Sequence, residues 1–234
     1  MKTALIIAHE PDGPSGMIGE RLEQRGFGLT THIVCDDYDK PDVAAPFPEF
    51  DDFDIIVAMG SVRSVYDIDN IGSWIGDELQ RLREAHDRGQ PILGTCFGAQ
   101  ALSAALGGIV ELSPEIEIGW YDIEVDDGAG ISSGPWFEWH YDKFTVPPGA
   151  IELARTSVGP QMFTIGKSLA VQFHPEVSLA HLAGFLAEGG DQELKAKGGD
   201  PEALLAETEA NEDTARKRCY ELVDHFLDNI ANLP

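Results

Sequence analysis

Three short runs, TALIIA at residues 3–8, DIIVAMG at 54–60 and PILGT at 91–95, are apolar at nearly every position. A strand with one wet face alternates apolar and polar residues, so strands patterned like these need cover on both faces. The stretches between them supply it. GPSGMIGERLEQRGF reads as a turn entering an amphipathic helix, and residues 70–88 carry Ile71, Trp74, Ile75, Leu79 and Leu82 at helical spacing. LTTHIVC at 29–35 alternates like a strand, and a loop rich in proline and aspartate follows it through Phe50. The βαβα order predicts an α/β chain, a parallel sheet covered by helices on both faces. With 234 residues, 43% of them hydrophobic, the apolar material suffices for a single large domain.

Beyond Gly108 the pattern changes. IVEL, EIGWYDIEV, IELARTS, QMFTIG and LAVQF are short and separated by turns, which predicts antiparallel additions and a returning strand. HPEVSLAHLAGFLAEGG opens a helix expected to stop at its glycine pair, and DQELKAKGGD reads as a polar connection. Asp200-Pro201 has the form of an N-cap followed by proline in a first turn. The helix it starts puts Cys219, Leu222, Val223, Phe226, Leu227 and Ile230 on one face, so it should dock on the core. No internal repeat or low-complexity tract interrupts the chain.

Sixteen lysines and arginines against 41 aspartates and glutamates give a net charge of -25. A surface this negative argues against nucleic acid or an anionic membrane as partner. No stretch is long and apolar enough to span a bilayer. MKTALIIAHEPDG reaches His9 and Glu10 after a short apolar run, and reads as a first strand rather than a signal peptide. Cys35, Cys96 and Cys219 lie far apart without a C-x-x-C pair, so a cysteine-rich metal site is not expected and a reducing, cytoplasmic setting is.

Cys96 stands where the run 91–95 meets the small-residue helical stretch FGAQALSAALGG, with Gly94 and Gly98 on either side. A strand that turns directly into a helix through a nucleophile needs small neighbours, because the backbone folds back close to itself while the side chain is thrown outward; G-x-C-x-G is the thiol counterpart of the G-x-S-x-G elbow. In that setting the helix N-terminus favours the thiolate and the N–H of Phe97 is free to stabilise an oxyanion. A buried structural cysteine in a tightly packed turn is the other reading, and the motif by itself leaves both open.

A thiol nucleophile needs a base and a group to orient it. LAVQFHPEVS offers His174 at the end of an apolar run and Glu176 two residues on, with Pro175 fixing the backbone between them. Taken singly, these are a strand-end histidine and a helix-capping glutamate. Both this motif and the elbow fall at C-terminal ends of strands in a parallel-sheet pattern, where open α/β sheets place their sites. His9 is open to two readings, a substrate contact or a loop-stabilising imidazole, and His140 is expected to line the pocket. His32, His86, His181 and His225 fall in strand or helix patterns and are expected to be structural, as are the thiols of Cys35 and Cys219. No set of residues has convincing metal-ligand spacing, so neither a metal nor a cofactor is expected.

GTCFGAQ followed by QFHPE resembles the class I (triad-type) glutamine amidotransferase family, and HEPDGPSG at 9–16 is similar to its stand-alone members that look like the glutaminase part of GMP synthetase. The resemblance covers roughly residues 1–190, leaving 191–234 as a C-terminal connection and helix packed on the same domain. It implies a three-layer α/β/α sandwich, flavodoxin-like, with a mostly parallel central sheet, a small antiparallel addition and a C-terminal helical extension. It also implies a Cys-His-Glu triad of Cys96, His174 and Glu176 that hydrolyses the side-chain amide of glutamine through a γ-glutamyl thioester. MGSVRSVYD matches the position of the family's oxyanion loop, usually Gly-Gly-Pro and here Gly60-Ser61-Val62, so that Gly60, Ser61 and Phe97 are the implied oxyanion donors. Gln100, His140 and Asp142 match positions that face the substrate. The implied partners are glutamine or a related γ-glutamyl amide and a separate synthetase subunit that takes up ammonia. Two alternatives stand beside this reading: a free-standing hydrolase of γ-glutamyl peptides or amides, and a non-catalytic binding module that keeps the fold.

Overall fold

The structure, a computed structural model, describes residues 1–233. Five strands form the parallel part of the main sheet: β1 (Lys2–Ala8), β2 (Phe27–Ile33), β3 (Ile55–Ala58), β4 (Ile92–Thr95) and β10 (Ser168–Val171). They lie in the order β2-β1-β3-β4-β10, and β9 (Pro160–Ile165), β8 (Ile151–Arg155) and β6 (Glu124–Val125) extend the sheet with antiparallel pairings. The apolar runs occupy the middle, as their two-sided burial requires. Along β1, Ala4 and Ile6 pack on one face while Leu5 and Ile7 pack on the other, and all four are fully buried.

Helices cover both faces, giving the three layers expected. On one side, Met17, Ile18 and Leu22 of α1 (Gly16–Gln24) join Cys219, Leu222 and Val223 of α7 (Pro201–His225). On the other lie α3 (Ile75–Asp87) and α4 (Phe97–Ala105), with Leu82, Ala85, Phe97 and Leu102 in the core. The last helix docks through the face read from the sequence: Cys219, Leu222, Val223, Phe226 and Leu227 are fully buried, and Ile230 packs against them partly exposed. Asp200 caps it by accepting from the N–H groups of Glu202 and Ala203. Arg21 of α1 and Arg25, just past its end, clasp Asp224 across the same seam at 2.6 and 2.7 Å. Among the described residues no helix is long and apolar enough to cross a membrane.

Three local expectations need correction. The helical pattern over 70–88 is two helices, α2 (Ile68–Ile71) and α3, separated at Gly72–Trp74, where the indole of Trp74 turns to donate to Pro41 O at 2.8 Å. IVEL and the start of EIGWYDIEV are one strand, β5 (Val110–Tyr121), which pairs with β7 (Trp136–Phe144) in a separate two-stranded sheet. Pro114 hid the continuity, and it falls where the register shifts between Leu112 and Glu117, so its missing N–H costs no ladder bond. The segment 191–200 is not simply a polar connection. After α5 (Leu179–Phe185) a wider helical turn, Leu186–Gly190, kinks at Gly189, and the chain resumes as α6 (Asp191–Ala196). A single buried residue, Leu194, holds α6 in a satellite cluster with Phe137 and Leu182, too little apolar material for a periodic signal.

Candidate active site

The elbow is strained where the sequence turns. Cys96 has φ 49° and ψ -110°, a conformation that costs a non-glycine residue on the order of 1–3 kcal/mol. Its neighbours hold it there: Cys96 N donates to Val171 O at 2.9 Å, and Gly98 N donates to Met59 O at 3.0 Å. Both flanking glycines are required by contact. A Cβ on Gly98 would lie 2.1 Å from Ala58 O, and one on Gly94 would lie 2.7 Å from Gly98 O. The thiol of Cys96 emerges at the N-terminus of α4, 5% exposed, with Trp139 O 3.9 Å away.

His174 follows β10, its backbone N–H donating to Phe137 O at 2.8 Å. The ring's Nδ1 lies 2.7 Å from Glu176 Oε1, which fixes the hydrogen on Nδ1 and leaves Nε2 for chemistry. Nε2 is buried without an aligned hydrogen-bond partner, and the Cys96 thiol is close enough to act on the ring. Burial by itself would lower the imidazole's pKa. The charge of a Cys96 thiolate and that of Glu176, with the hydrogen bond to Glu176, outweigh it and hold the pKa well above its ordinary value. Burial likewise pushes Glu176 up, but the facing imidazole wins and its pKa lies below normal. The loop after β3 passes between: a Cβ on Gly60 would lie 3.0 Å from His174 Cε1 and 3.7 Å from Cys96 Cβ.

A second histidine fixes that loop. His9, fully buried, places Nδ1 3.0 Å from Gly60 O and Nε2 3.0 Å from the carboxylate of Glu78, itself fully buried. Both nitrogens face acceptors, so the ring carries both hydrogens. Burial opposes that charge, but the charge and hydrogen bond of Glu78 prevail and raise the pKa. His9 is therefore the loop-stabilising imidazole of the two readings. Next to Gly60, Ser61 Oγ donates to Glu10 Oε1 at 2.7 Å and accepts from Arg63 N at 3.1 Å.

Cys96, His174, Glu176, Gly60, Ser61, Gln100, His140 and Asp142 all border one cavity of about 220 Å³, whereas the Phe97 ring packs against His9. Gln100 Nε2 donates to Gln172 Oε1 at 3.2 Å and to Asp142 O at 3.3 Å, and Asp142 Oδ1 accepts from Tyr66 at 2.7 Å. His140 has Nδ1 2.9 Å from Asp142 O and Nε2 3.0 Å from Glu117 Oε2, so both its nitrogens are committed to protein groups. His181, expected to be structural, also lines the cavity. Cys35 donates to Pro41 O, and burial raises its pKa; burial pushes the pKa of Cys219 well above normal.

Sequence reasoning missed the carboxylates around this site. Glu78 had a signal, a charge on the apolar face of α3 between Trp74 and Leu82. Glu117 and Glu138 had none: the strand of Glu117 was read only as a short addition, and that of Glu138 was not read as an element. With His140 they bring three possible metal-ligand atoms within 4.8 Å of one another, although no metal was expected. The aromatic wall of Phe137, Trp139 and Phe185 was likewise unassigned.

The family model "Glutamine amidotransferase class-I" matches residues 16–187. A GMP synthase [glutamine-hydrolyzing] of Limosilactobacillus reuteri is 37% identical over 171 residues, 69% of this chain and 30% of that one. The enzyme of the same description from Allorhizobium ampelinum is 39% identical over 103 residues, 39% of this chain and 20% of its own length. The chain thus spans between a fifth and a third of these curated relatives. A solved structure of a glutamine amidotransferase from Thermotoga maritima superposes with a TM-score of 0.84 at 24% identity, covering 96% of this chain and 97% of the other, a likeness of fold.

Proposed function

Because the chain belongs to the class I glutamine amidotransferase family, we propose that it hydrolyses the side-chain amide of glutamine through a γ-glutamyl thioester on Cys96. One observation carries the reading: a cysteine held at positive φ on a strand-to-helix elbow shares a cavity with a histidine whose Nδ1 is tied to Glu176 and whose Nε2 is uncommitted. The Cys96 thiolate adds to the amide carbon, and the N–H groups of Phe97 and of the Gly60–Ser61 loop stabilise the oxyanion that forms. The imidazolium of His174 gives its Nε2 proton to the leaving nitrogen, the C–N bond breaks and ammonia departs. The now neutral ring takes a proton from water, hydroxide displaces the thiolate, and glutamate is released. Gln100 and Asp142 hold the α-amino and α-carboxylate end of the substrate. His140 is left out of these contacts, since both its nitrogens are engaged.

The ammonia goes to a synthetase. This rests on the relatives, GMP synthases described as glutamine-hydrolysing, of which this chain matches only the smaller part. The aromatic wall of Phe137, Trp139 and Phe185 favours a second reading, a hydrolase of γ-glutamyl amides with apolar amines. Glutamate release from glutamine and from a panel of γ-glutamyl compounds, with Cys96→Ala as control, decides between them. Fast cleavage of γ-glutamyl peptides with negligible glutaminase activity overturns the amidotransferase reading.

A further inference from the structure

We propose that Glu117, Glu138 and His140 form a site for one divalent first-row transition-metal cation, with zinc as its best occupant. Nδ1 of His140 meets the carbonyl of Asp142, which only accepts, so Nδ1 carries the hydrogen and Nε2 points its lone pair or a second proton at the two glutamates. Nε2 lies 3.0 Å from Glu117 Oε2 and 3.5 Å from Glu138 Oε2. Bonds of about 2.0–2.2 Å to a tetrahedral zinc separate ligand atoms by about 3.3–3.6 Å, so Nε2 already stands near ligand spacing from both carboxylates, and all three atoms lie within 4.8 Å of one another.

Glu138 supplies the independent observation. It is fully buried, and neither of its carboxylate oxygens has a hydrogen-bond partner. A carboxyl group withdrawn from water with nothing to bond is costly, and a cation beside Oε2 removes the cost. Charge agrees: two carboxylates balance one divalent ion.

The scaffold suits a metal. Glu138 and His140 are alternate residues on one face of β7, and Glu117 stands directly opposite His140 on β5, so all three ligands come from a paired ladder rather than a loop. Outer contacts orient them: the Asp142 carbonyl fixes the imidazole, while Thr156 Oγ1 at 3.1 Å and Gln161 Nε2 at 2.8 Å hold Glu117. Of the three, His140 borders the cavity, which gives an ion a way in.

The test takes the chelator-stripped full chain, equilibrates it with zinc or with manganese, and measures bound metal by mass spectrometry alongside the thermal midpoint. One equivalent of either ion is expected, with a raised midpoint. Cys96→Ala should keep it, while Glu138→Gln and Glu117→Gln should weaken binding by more than about 100-fold and cancel the rise. Glu138 makes no hydrogen bond, so Glu138→Gln removes the charge of a ligand without breaking one. Zinc that is lost in Cys96→Ala but kept in Glu138→Gln belongs to the thiol and overturns the proposal, as does failure of both ions to bind stoichiometrically.

Discussion

Two histidine–glutamate pairs flank Gly60, and they are built from the same chemistry. His174 meets Glu176 at 2.7 Å and His9 meets Glu78 at 3.0 Å, and in each the carboxylate raises the imidazole's pKa against the effect of burial. They differ in the other nitrogen. In His9 it is spent on Gly60 O, so the ring is a fixed cation that clamps the loop. In His174 it is unspent and close to a thiol. A buried carboxylate thus makes a histidine a clamp or a base according to whether a backbone carbonyl takes up the remaining N–H.

The harshest test of that contrast removes what only His174 serves. Cys96→Ala should lower glutamate release on the order of a millionfold, the scale of losing a nucleophile. Iodoacetamide near neutral pH should label Cys96 and spare Cys35 and Cys219, whose pKa values burial raises. Preferential labelling of Cys219 in the folded protein would show that the reactive thiol has been misassigned.

Glu176→Ala should cost less, on the order of ten-thousandfold, because His174 still accepts a proton in a less favoured pose. Equal residual rates for Glu176→Ala and Cys96→Ala would mean that the roles are wrongly divided.

His9→Gln should act on stability before rate. It leaves Glu78 buried without its cation, which costs about 3–5 kcal/mol for a pair of this kind. Because the pKa of His9 is raised on folding, its contribution is fully present below the unfolded value of about 6.5 and fades as pH climbs through the folded one. The gap in denaturation midpoint between the wild type and His9→Gln should therefore be widest near about pH 6 and narrow in alkali. A gap that grows with pH would contradict the doubly protonated ring.

Much of this was legible in the sequence where one residue type had one physical use. The two-sided strands, the glycines around Cys96 and the Asp200-Pro201 cap each announce a local geometry, and each element formed where it was read. What stayed hidden depends on partners distant in the chain. Glu78 is 69 residues from His9, and Glu117 is 23 from His140, so nothing local distinguishes either from a solvated carboxylate. His140 drew notice for its motif, yet its nitrogens turned to β5 and to its own strand. Pro114 and the lone apolar Leu194 hid elements because a bulge and a satellite cluster carry no periodicity.

Gly60→Ala should give the smallest effect and bears on both pairs at once. The loop carbonyl there is the clamp's target, while its Cα sits over the base. Its φ lies outside the left-handed range, so alanine is not strained by the backbone. The added methyl would meet His174 Cε1 at 3.0 Å, closer than ordinary van der Waals contact, and the imidazole must yield by a few tenths of an ångström. A displacement of about 1 Å can cost a hundredfold in rate, so a shift of this size should lower kcat by about tenfold or less. KM should stay nearly constant, because the residues proposed to hold the substrate's α-amino and α-carboxylate end, Gln100 and Asp142, are elsewhere. The thermal midpoint should change little, since His9 keeps its carbonyl. A large loss of stability with an unchanged kcat would instead place Gly60 in the clamp alone, and the imidazole of His174 would have to sit farther from the loop than its 3.0 Å approach implies.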